Sequence, residues 1–435
     1  MSVPYLPGTD ADRAAMLQAI GVGSVDELFE DIPIEFRNPR LDLPAPLSEL
    51  ELQRELKELS DQNVNATDHA FFLGGGAYNH FIPSIVWNLA LRSEFATSYT
   101  PYQPELSQGN LQGMYEFQSL VCQLVGMEVA NTGMYDGATA MAEAALMACR
   151  VTERAIVNVV DTVAPRYVEV VRTYAEPQGI EVAAVDSKEA ATSAACLIAQ
   201  SPNASGCLED LAALSRQAHE AGALFVVAAD PIALGLYRPP GDYDADIVVA
   251  EGQALGVPMS FGGPFVGLFA CKEKYLRQMP GRIVGRTADG QGRTGYVLTL
   301  QTREQHIRRE RATSNICTSE TLVALATVIY LAAMGRHGLR AVAELCYHKA
   351  HYAASCIKSL PGYSLAGDRP FFKEFIVRCP RPPAEINRAL LERRIVGGLD
   401  VSDRSPDGML LCVTEMNTKD EIDRLVAALA SVGER

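Results

Sequence analysis

Short apolar runs alternate with helix-forming stretches between residues 155 and 270, and this alternation limits the fold more than any other feature of the chain. Strands are expected over 155–160, 181–185, 194–199, 224–229, 247–250 and 265–270, with helices over 165–174 and 208–221. Strands this short, separated by helices, join by right-handed crossovers into a mostly parallel sheet covered on both faces. Two helices precede them. One, over 110–126, has an apolar stripe; the other, over 136–148, is rich in small residues and expected to be buried. The class is α/β.

The flanks read differently. Asp10 or Asp12 can cap a helix over 11–20, and Ser24 one over 25–32. A charged amphipathic helix is expected over 44–62, with Leu47, Leu50, Leu52 and Leu56 as its apolar contacts. A turn at Gly74-Gly75-Gly76 and an aromatic segment to Trp87 follow. The tail offers a strand over 372–378, a helix over 383–394 entered through Pro382-Pro383, and a strand over 409–414. Thr418 and Glu421 form a capping box that opens a last helix through Ile422, Leu425 and Leu429. Three parts are expected: an N-terminal helical extension over 1–65, a large α/β domain over 66–334 and a small α+β domain over 335–435.

Composition narrows the function. The 435 residues carry 38 basic against 53 acidic side chains, a formal charge of −15 with no basic block. Such a chain is a poor partner for phosphate backbones, so no nucleic acid is expected. The apolar runs 221–229 and 323–334 are too short to span a bilayer, so no membrane is expected. The start, MSVPYLPGTDADRAAML, has neither a basic n-region nor an apolar h-region, which leaves the cytoplasm as the expected location. The ten cysteines include no CxxC pair and no zinc spacing. They read as reduced thiols, and no metal is expected.

The chemistry centres on what is missing. In open α/β sheets, ligands bind beyond the carboxyl ends of the strands. Asp230 stands at such a place, after LFVVAA and before Pro231. A carboxylate there can pair with the protonated ring nitrogen of pyridoxal phosphate, or simply close the strand and cap the next turn. A pyridoxal enzyme also needs a lysine after a following strand, because only an amine forms the Schiff base. The eight lysines are 57, 188, 272, 274, 349, 358, 373 and 419, beside thirty arginines; none lies between Lys188 and Lys272. The strand 246–250 is followed by Glu251, Gly252, Gln253 and Ala254, and a carboxamide forms no imine. Lys272 and Lys274 read as a solvated helix start. Asp136 stands as N-cap of the small-residue helix, where its carboxylate would satisfy the free N–H groups and repel a phosphate.

No G-x-S-x-G elbow, Walker A or H-E-x-x-H motif occurs. Gly74-Gly75-Gly76 lacks the preceding strand of a dinucleotide loop. Asp68, His69 and His80 flank it without a shared helical face for a metal. His306 and the run Arg303, Arg308, Arg309, Arg311 read as an exposed basic helix, solvated or at an interface. Tyr99, Thr100, Tyr102 and Gln103 share a loop stiffened by Pro101 and Pro104. Tyrosines on a stiff loop suit recognition, although such a loop can also pack on its own domain.

The segments FLGGGAYNHFIP (72–83), TSYTPYQPELSQG (97–109), SFGGPFVG (260–267) and GYVLTLQTREQHIRRERATSNICT (295–318) resemble the glycine cleavage system P-protein family. Within it they look like the alpha subunits of two-subunit glycine dehydrogenases (decarboxylating). The resemblance runs from LPGTDADRAAML to the last helix. It implies the aspartate-aminotransferase-like fold of fold type I pyridoxal enzymes. It also implies an α2β2 assembly whose beta subunit carries pyridoxal phosphate on a lysine. Alignment of Val257-Pro258 and Gly262-Gly263-Pro264 with the beta subunit's lysine-bearing loop puts Gln253 at the lysine position.

The implied reaction decarboxylates glycine and passes the aminomethyl group to the lipoyl arm of H-protein. This chain is expected to have no covalent catalytic residue. Tyr99, Thr100, Tyr102 and Gln103 are expected to reach the beta-bound cofactor. Asp136, Asp230 and Gln253 are expected to line an empty, cofactor-type pocket. Two other classes compete: a self-sufficient pyridoxal enzyme of aminotransferase or desulfurase type using Lys272 or Lys274, and a scaffold without any part in chemistry.

Overall fold

Seven strands form the central sheet of the computed structural model, which describes residues 7–37, 39–186 and 193–433; Lys188 lies outside the described residues. Their order is Val129–Ala130, Gly267–Cys271, Ile247–Glu251, Leu224–Ala229, Cys196–Ser201, Ile156–Val160 and Glu181–Val185. The last five are parallel neighbours. Gly267–Cys271 runs antiparallel to both of its neighbours. It departs from the expected parallel set because the connection over 252–266 turns back without a crossover helix. Leu224–Ala229 is buried along its whole length, as a parallel strand covered on both faces must be.

The Gly137–Thr152 helix packs on Leu224–Ala229, Ile247–Glu251 and Gly267–Cys271. Its alanines and glycine let it approach the sheet closely, and Ala140 to Cys149 are all buried. The approach is close at its first residue. A Cβ on Gly137 would lie 2.9 Å from the backbone nitrogen of Glu251. The start of this helix is thereby held against the carboxyl end of the sheet.

A second sheet is wholly antiparallel, in the order Ser364–Leu365, Glu374–Arg378, Gly408–Cys412, Leu399–Asp400. Helices Pro383–Leu391 and Lys419–Gly433 accompany it. Thr418 and Glu421 make the expected reciprocal bonds at the start of the second of these helices. The Thr321–Lys358 helix breaks at Gly335, where φ is 59° and ψ −177°. This helix corrects the expectation from apolar run length, since by length and composition it could cross a membrane. Its buried residues lie on both sides of Gly335, from Val323 to Tyr330 and from Leu339 to Ile357, and it packs on helices Ile85–Ala90 and Gln108–Val125.

Residues 1–64 and 65–435 form two compact units. In the first, Thr9 rather than Asp10 or Asp12 caps helix Asp10–Ile20, with Asp12 returning the bond. The segment after Ser24 is only a 3₁₀ turn, Asp26–Phe29. The helix expected over 44–62 is Glu49–Asp61. Ser48 and Glu51 close a capping box there, and that box sets the start.

Candidate functional site

Asp230 leaves the Leu224–Ala229 strand at its carboxyl end, where it closes a turn and pairs with a cation of the chain itself. Oδ1 accepts from the backbone N–H groups of Ile232 (2.9 Å) and Ala233 (3.4 Å), closing a turn. Oδ2 lies 2.7 Å from Nζ of Lys373, the residue just before the Glu374–Arg378 strand of the second sheet. Lys373 thus lines the cavity beside Asp230. A lysine enters it from the far end of the chain, on the second sheet, where no reading of the 188–272 gap could find it.

Lys373 is almost wholly buried, at 1% exposure. Its ammonium donates to Asp230, approaches His80 Nε2 at 3.1 Å and sits 3.5 Å from the centre of the Tyr78 ring. One carboxylate, one imidazole nitrogen and one π face give its three N–H bonds partners. Burial works against the charge, yet Asp230, together with the nearby Cys412 and Cys346, outweighs it and holds the Lys373 pKa above that of free lysine. Burial, together with the Lys373 charge, pushes His80 below its ordinary value, so the ring is neutral. Since Nε2 accepts from Lys373, the ring proton is on Nδ1, which donates to Glu415 Oε2 at 2.7 Å. Glu415 Oε1 accepts from Phe81 N at 2.6 Å. Burial opposes its charge, but these bonds and the imidazole bring its pKa down to about 2.

Glu374 points the other way and holds the glycine turn. Its Oε1 accepts from Gly75 N (2.7 Å) and its Oε2 from the Tyr78 hydroxyl (2.8 Å). Burial pushes its pKa up. The three glycines serve this contact rather than a dinucleotide. A Cβ on Gly74 would lie 2.2 Å from Glu374 Oε1, and Gly75 and Gly76 have φ of +87° and +126°.

Gln253 is buried and fully engaged. Oε1 accepts from Tyr78 N, while Nε2 donates to the carbonyls of Tyr78 (3.0 Å) and Val257 (2.8 Å). At the start of the Gly137–Thr152 helix, Asp136 Oδ1 accepts from Thr139 N at 2.7 Å. Glu251 Oε2 accepts from Gly137 N, and its Oε1 from Gln253 N, both at 2.9 Å. Burial pushes Glu251 up to about 8 against these two donors. Asp230, Glu251, Gln253, Lys373 and Tyr167 line a common cavity of about 620 Å³. Asp136 stands at its edge through Gly137, which also lines it.

These residues do not fit pyridoxal phosphate. The imine position holds an amide tied to the backbone. The carboxylate for a ring nitrogen already has a cation, and the side chains of Asp136 and Glu251 occupy the helix start that a phosphate would need. Lys272 gives no substitute. Its Nζ is paired with Asp244 and Asp246. Asp246 precedes the Ile247–Glu251 strand, whereas Glu251 ends it, so Lys272 sits at the opposite edge of the sheet, about 17 Å away by strand rise.

The structure does not bring the tyrosine loop to this cavity. None of Tyr99, Thr100, Tyr102 and Gln103 lines it. Tyr99 is 75% exposed, and its hydroxyl lies 3.1 Å from Thr318 Oγ1. The Tyr102 ring meets the His306 ring edge-on at 5.7 Å and the Arg282 guanidinium at 5.8 Å. Of the expected basic helix only Gln305–Arg308 is α-helical. Arg303 is half-buried, and its guanidinium donates to the carbonyls of Met279, Gly281 and Leu300.

Asp68 bonds Asn65, apart from His80. Among the described residues, His80, Cys346 and Glu415 are the one group with metal-type spacing, within 4.8 Å. Hydrogen bonds among them, and the Lys373 ammonium on His80, already engage these atoms. Sequence reasoning missed Lys373, Tyr78, Glu251, Glu374 and Glu415. The one available signal was Lys373-Glu374 inside the apolar run PFFKEFIV, where paired charges must be answered from elsewhere.

Comparison with known proteins supplies the context. The family model described as glycine cleavage system P-protein matches residues 3–429. A probable glycine dehydrogenase (decarboxylating) subunit 1 of Thermomicrobium roseum is 52% identical over 98% of both chains. Its counterpart in Desulforamulus reducens is 51% identical over 98% of this chain and 99% of its own. A crystal structure of glycine decarboxylase (P-protein) of the glycine cleavage system, in inhibitor-bound form, superposes with a TM-score of 0.94 at 43% identity, covering 99% of this chain and 100% of that one. A cysteine desulfurase from Thermococcus onnurineus, at 14% identity and a TM-score of 0.63 over 87% of this chain and 98% of its own, shares the fold alone. The architecture is that of fold type I pyridoxal enzymes.

Proposed function

The chain belongs to the glycine cleavage system P-protein family, and on that premise we propose that it is subunit 1, the alpha subunit, of a two-subunit glycine dehydrogenase (decarboxylating). The observation that carries this reading is the 52% identity to a probable subunit 1 along 98% of both chains. The pocket supports it from a separate direction, since a chain with an amide at position 253 needs its reactive amine from a partner.

The enzyme so assembled releases CO2 from glycine and passes the aminomethyl group to the lipoyl arm of H-protein. Pyridoxal phosphate, carried by the beta subunit's lysine, supplies the electron sink when bound. This chain has no covalent role. It completes the active site across the subunit interface, with Tyr99, Thr100, Tyr102 and Gln103 as the residues assigned to the beta-bound cofactor pocket. The exposure of Tyr99, Tyr102 and Gln103 on a proline-stiffened loop supports that assignment. The assembly is an α2β2 heterotetramer of the cytoplasm, with glycine and lipoylated H-protein as its further partners and neither nucleic acid nor membrane.

A self-sufficient pyridoxal enzyme would need Lys272 or Lys274, and the pairing of Lys272 with Asp244 and Asp246 speaks against it. The deciding experiment co-expresses this chain with its beta subunit, tests co-purification, and assays glycine decarboxylation by each chain alone and by both. Activity is expected only from the pair. Turnover by this chain alone, or a borohydride-reducible chromophore on one of its lysines, would overturn the reading.

A further inference from the structure

Three places in the cavity that would hold the polar groups of a pyridoxal cofactor are filled by groups of the chain itself. Asp230, at the carboxyl end of Leu224–Ala229, faces the Lys373 ammonium at 2.7 Å. Two of the first N–H groups of the Gly137–Thr152 helix are taken by acidic side chains. Gly137 N donates to Glu251 at 2.9 Å and Thr139 N to Asp136 at 2.7 Å. Gln253, at the lysine position, is tied to the backbone of residues 78 and 257.

We propose that the pocket is self-ligated: Lys373 replaces a ring nitrogen on Asp230, and Asp136 with Glu251 replace a phosphate at the helix start, so that the second sheet is clamped to the central sheet without a cofactor. The clamp crosses the molecule. Asp230 belongs to the central sheet, and Lys373 and Glu415 adjoin the Glu374–Arg378 and Gly408–Cys412 strands of the second. His80, from the segment over 72–83, bridges Lys373 and Glu415. A charge buried as deeply as that of Lys373 is tolerated only with its partner, so neither half of the pair can be removed alone without loss. An incoming phosphate needs free N–H groups at the helix start, and those of Gly137 and Thr139 are already taken by Glu251 and Asp136.

The inference concerns this chain's own pocket and stands or falls apart from the subunit reading, because its readouts are taken on the isolated full-length chain without turnover. Thermal unfolding is compared for the wild type, Lys373→Met, Asp230→Asn and the double variant. Each single change is expected to lower Tm by about 5–10 °C, and the double variant to recover at least half of that loss. Pyridoxine 5′-phosphate, which has the ring nitrogen and the phosphate but no aldehyde, is expected to leave the wild-type Tm unchanged. Additive losses in the double variant, or a Tm raised by pyridoxine 5′-phosphate, would overturn the proposal. A further arm needs no variant. Reductive methylation of the native wild type is expected to spare Lys373 while modifying the exposed Lys57, Lys274 and Lys419. Modification of Lys373 before unfolding sinks the idea.

Discussion

The side chain of Gln253 and the backbone of Tyr78 hold each other by a reciprocal pair of hydrogen bonds. Oε1 accepts from Tyr78 N at 2.8 Å, and Nε2 donates to Tyr78 O at 3.0 Å. Only a side chain that both donates and accepts can do this. The carboxamide is therefore more than a missing amine. It fastens the segment over 72–83 to the carboxyl end of the central sheet.

Replacing it exposes that role. Gln253→Ala and Gln253→Lys each leave the half-buried Tyr78 N–H without its acceptor. Both are expected to lose about 2–4 kcal/mol of unfolding free energy in urea titrations. Equal stability of Gln253→Lys and wild type would show that the amide is dispensable.

The glycine turn separates two causes. Gly74→Ala would place its Cβ 2.2 Å from Glu374 Oε1 and 2.7 Å from Cys412 Cβ, so a loss of about 3 kcal/mol or more is expected. Gly76→Ala meets open space and pays only for its φ of +126°, about 1–2 kcal/mol. Chemical denaturation of the two variants side by side measures the difference.

The His80–Glu415 pair gives a pH signature. The folded pKa of Glu415, about 2, lies below its unfolded value of 4.5. Its stabilisation is thus complete above pH 4.5 and is lost as pH falls toward 2, about 3 kcal/mol in all. The folded pKa of His80 is also depressed, so the unfolded state binds that proton first, and stability begins to fall as pH drops below 6.5. Melting curves are expected to show Glu415→Gln well below wild type at pH 7, with the gap closing as pH falls below 4.5. A gap that is constant with pH would contradict the assignment.

The tyrosine loop offers a test of function without a cost in folding. Tyr99→Phe and Tyr102→Phe remove hydroxyls from side chains 75% and 49% exposed, so Tm is expected to hold steady. In the reconstituted complex, glycine–bicarbonate exchange is expected to fall about tenfold or more if these hydroxyls reach the reacting groups. Unchanged exchange would leave the loop a structural part and favour a scaffold.

Lys272→Met removes one partner of the buried Asp246, which keeps His219, Phe225 N, the Tyr275 hydroxyl at 3.5 Å and the Lys274 ammonium at 3.8 Å. A loss of about 2 kcal/mol is expected, measured by denaturation. Activity of the assembled enzyme is expected to persist, because Lys272 sits at the edge of the sheet away from the cavity.

Local elements read well where one short pattern decides them. The strand at Leu224–Ala229 matches its expected bounds, since a buried parallel strand is a continuous apolar run, and the edge strand Glu181–Val185 matches its own as well. The Thr418 capping box matches as well, because both of its bonds lie within one turn. Reading failed where a partner far along the chain decides. Gly267–Cys271 is apolar in either direction, so its sequence does not distinguish parallel from antiparallel. Arg303 looks like a solvated cation until the carbonyls of Met279 and Gly281 are folded over it.

The sequence by itself determined the α/β class, the family, and the absence of an amine after the strand that follows Asp230. Each of these depends on residues close together along the chain, or on an ordered set of motifs. Only the tertiary structure decided what stands in the amine's neighbourhood. Lys373 and His80, whose side chains meet at 3.1 Å, are 293 residues apart. Nothing local marks either as the other's partner. A charge can be buried only when an opposite one is brought to it, and the packing of the second sheet on the first is what brings Lys373 to Asp230.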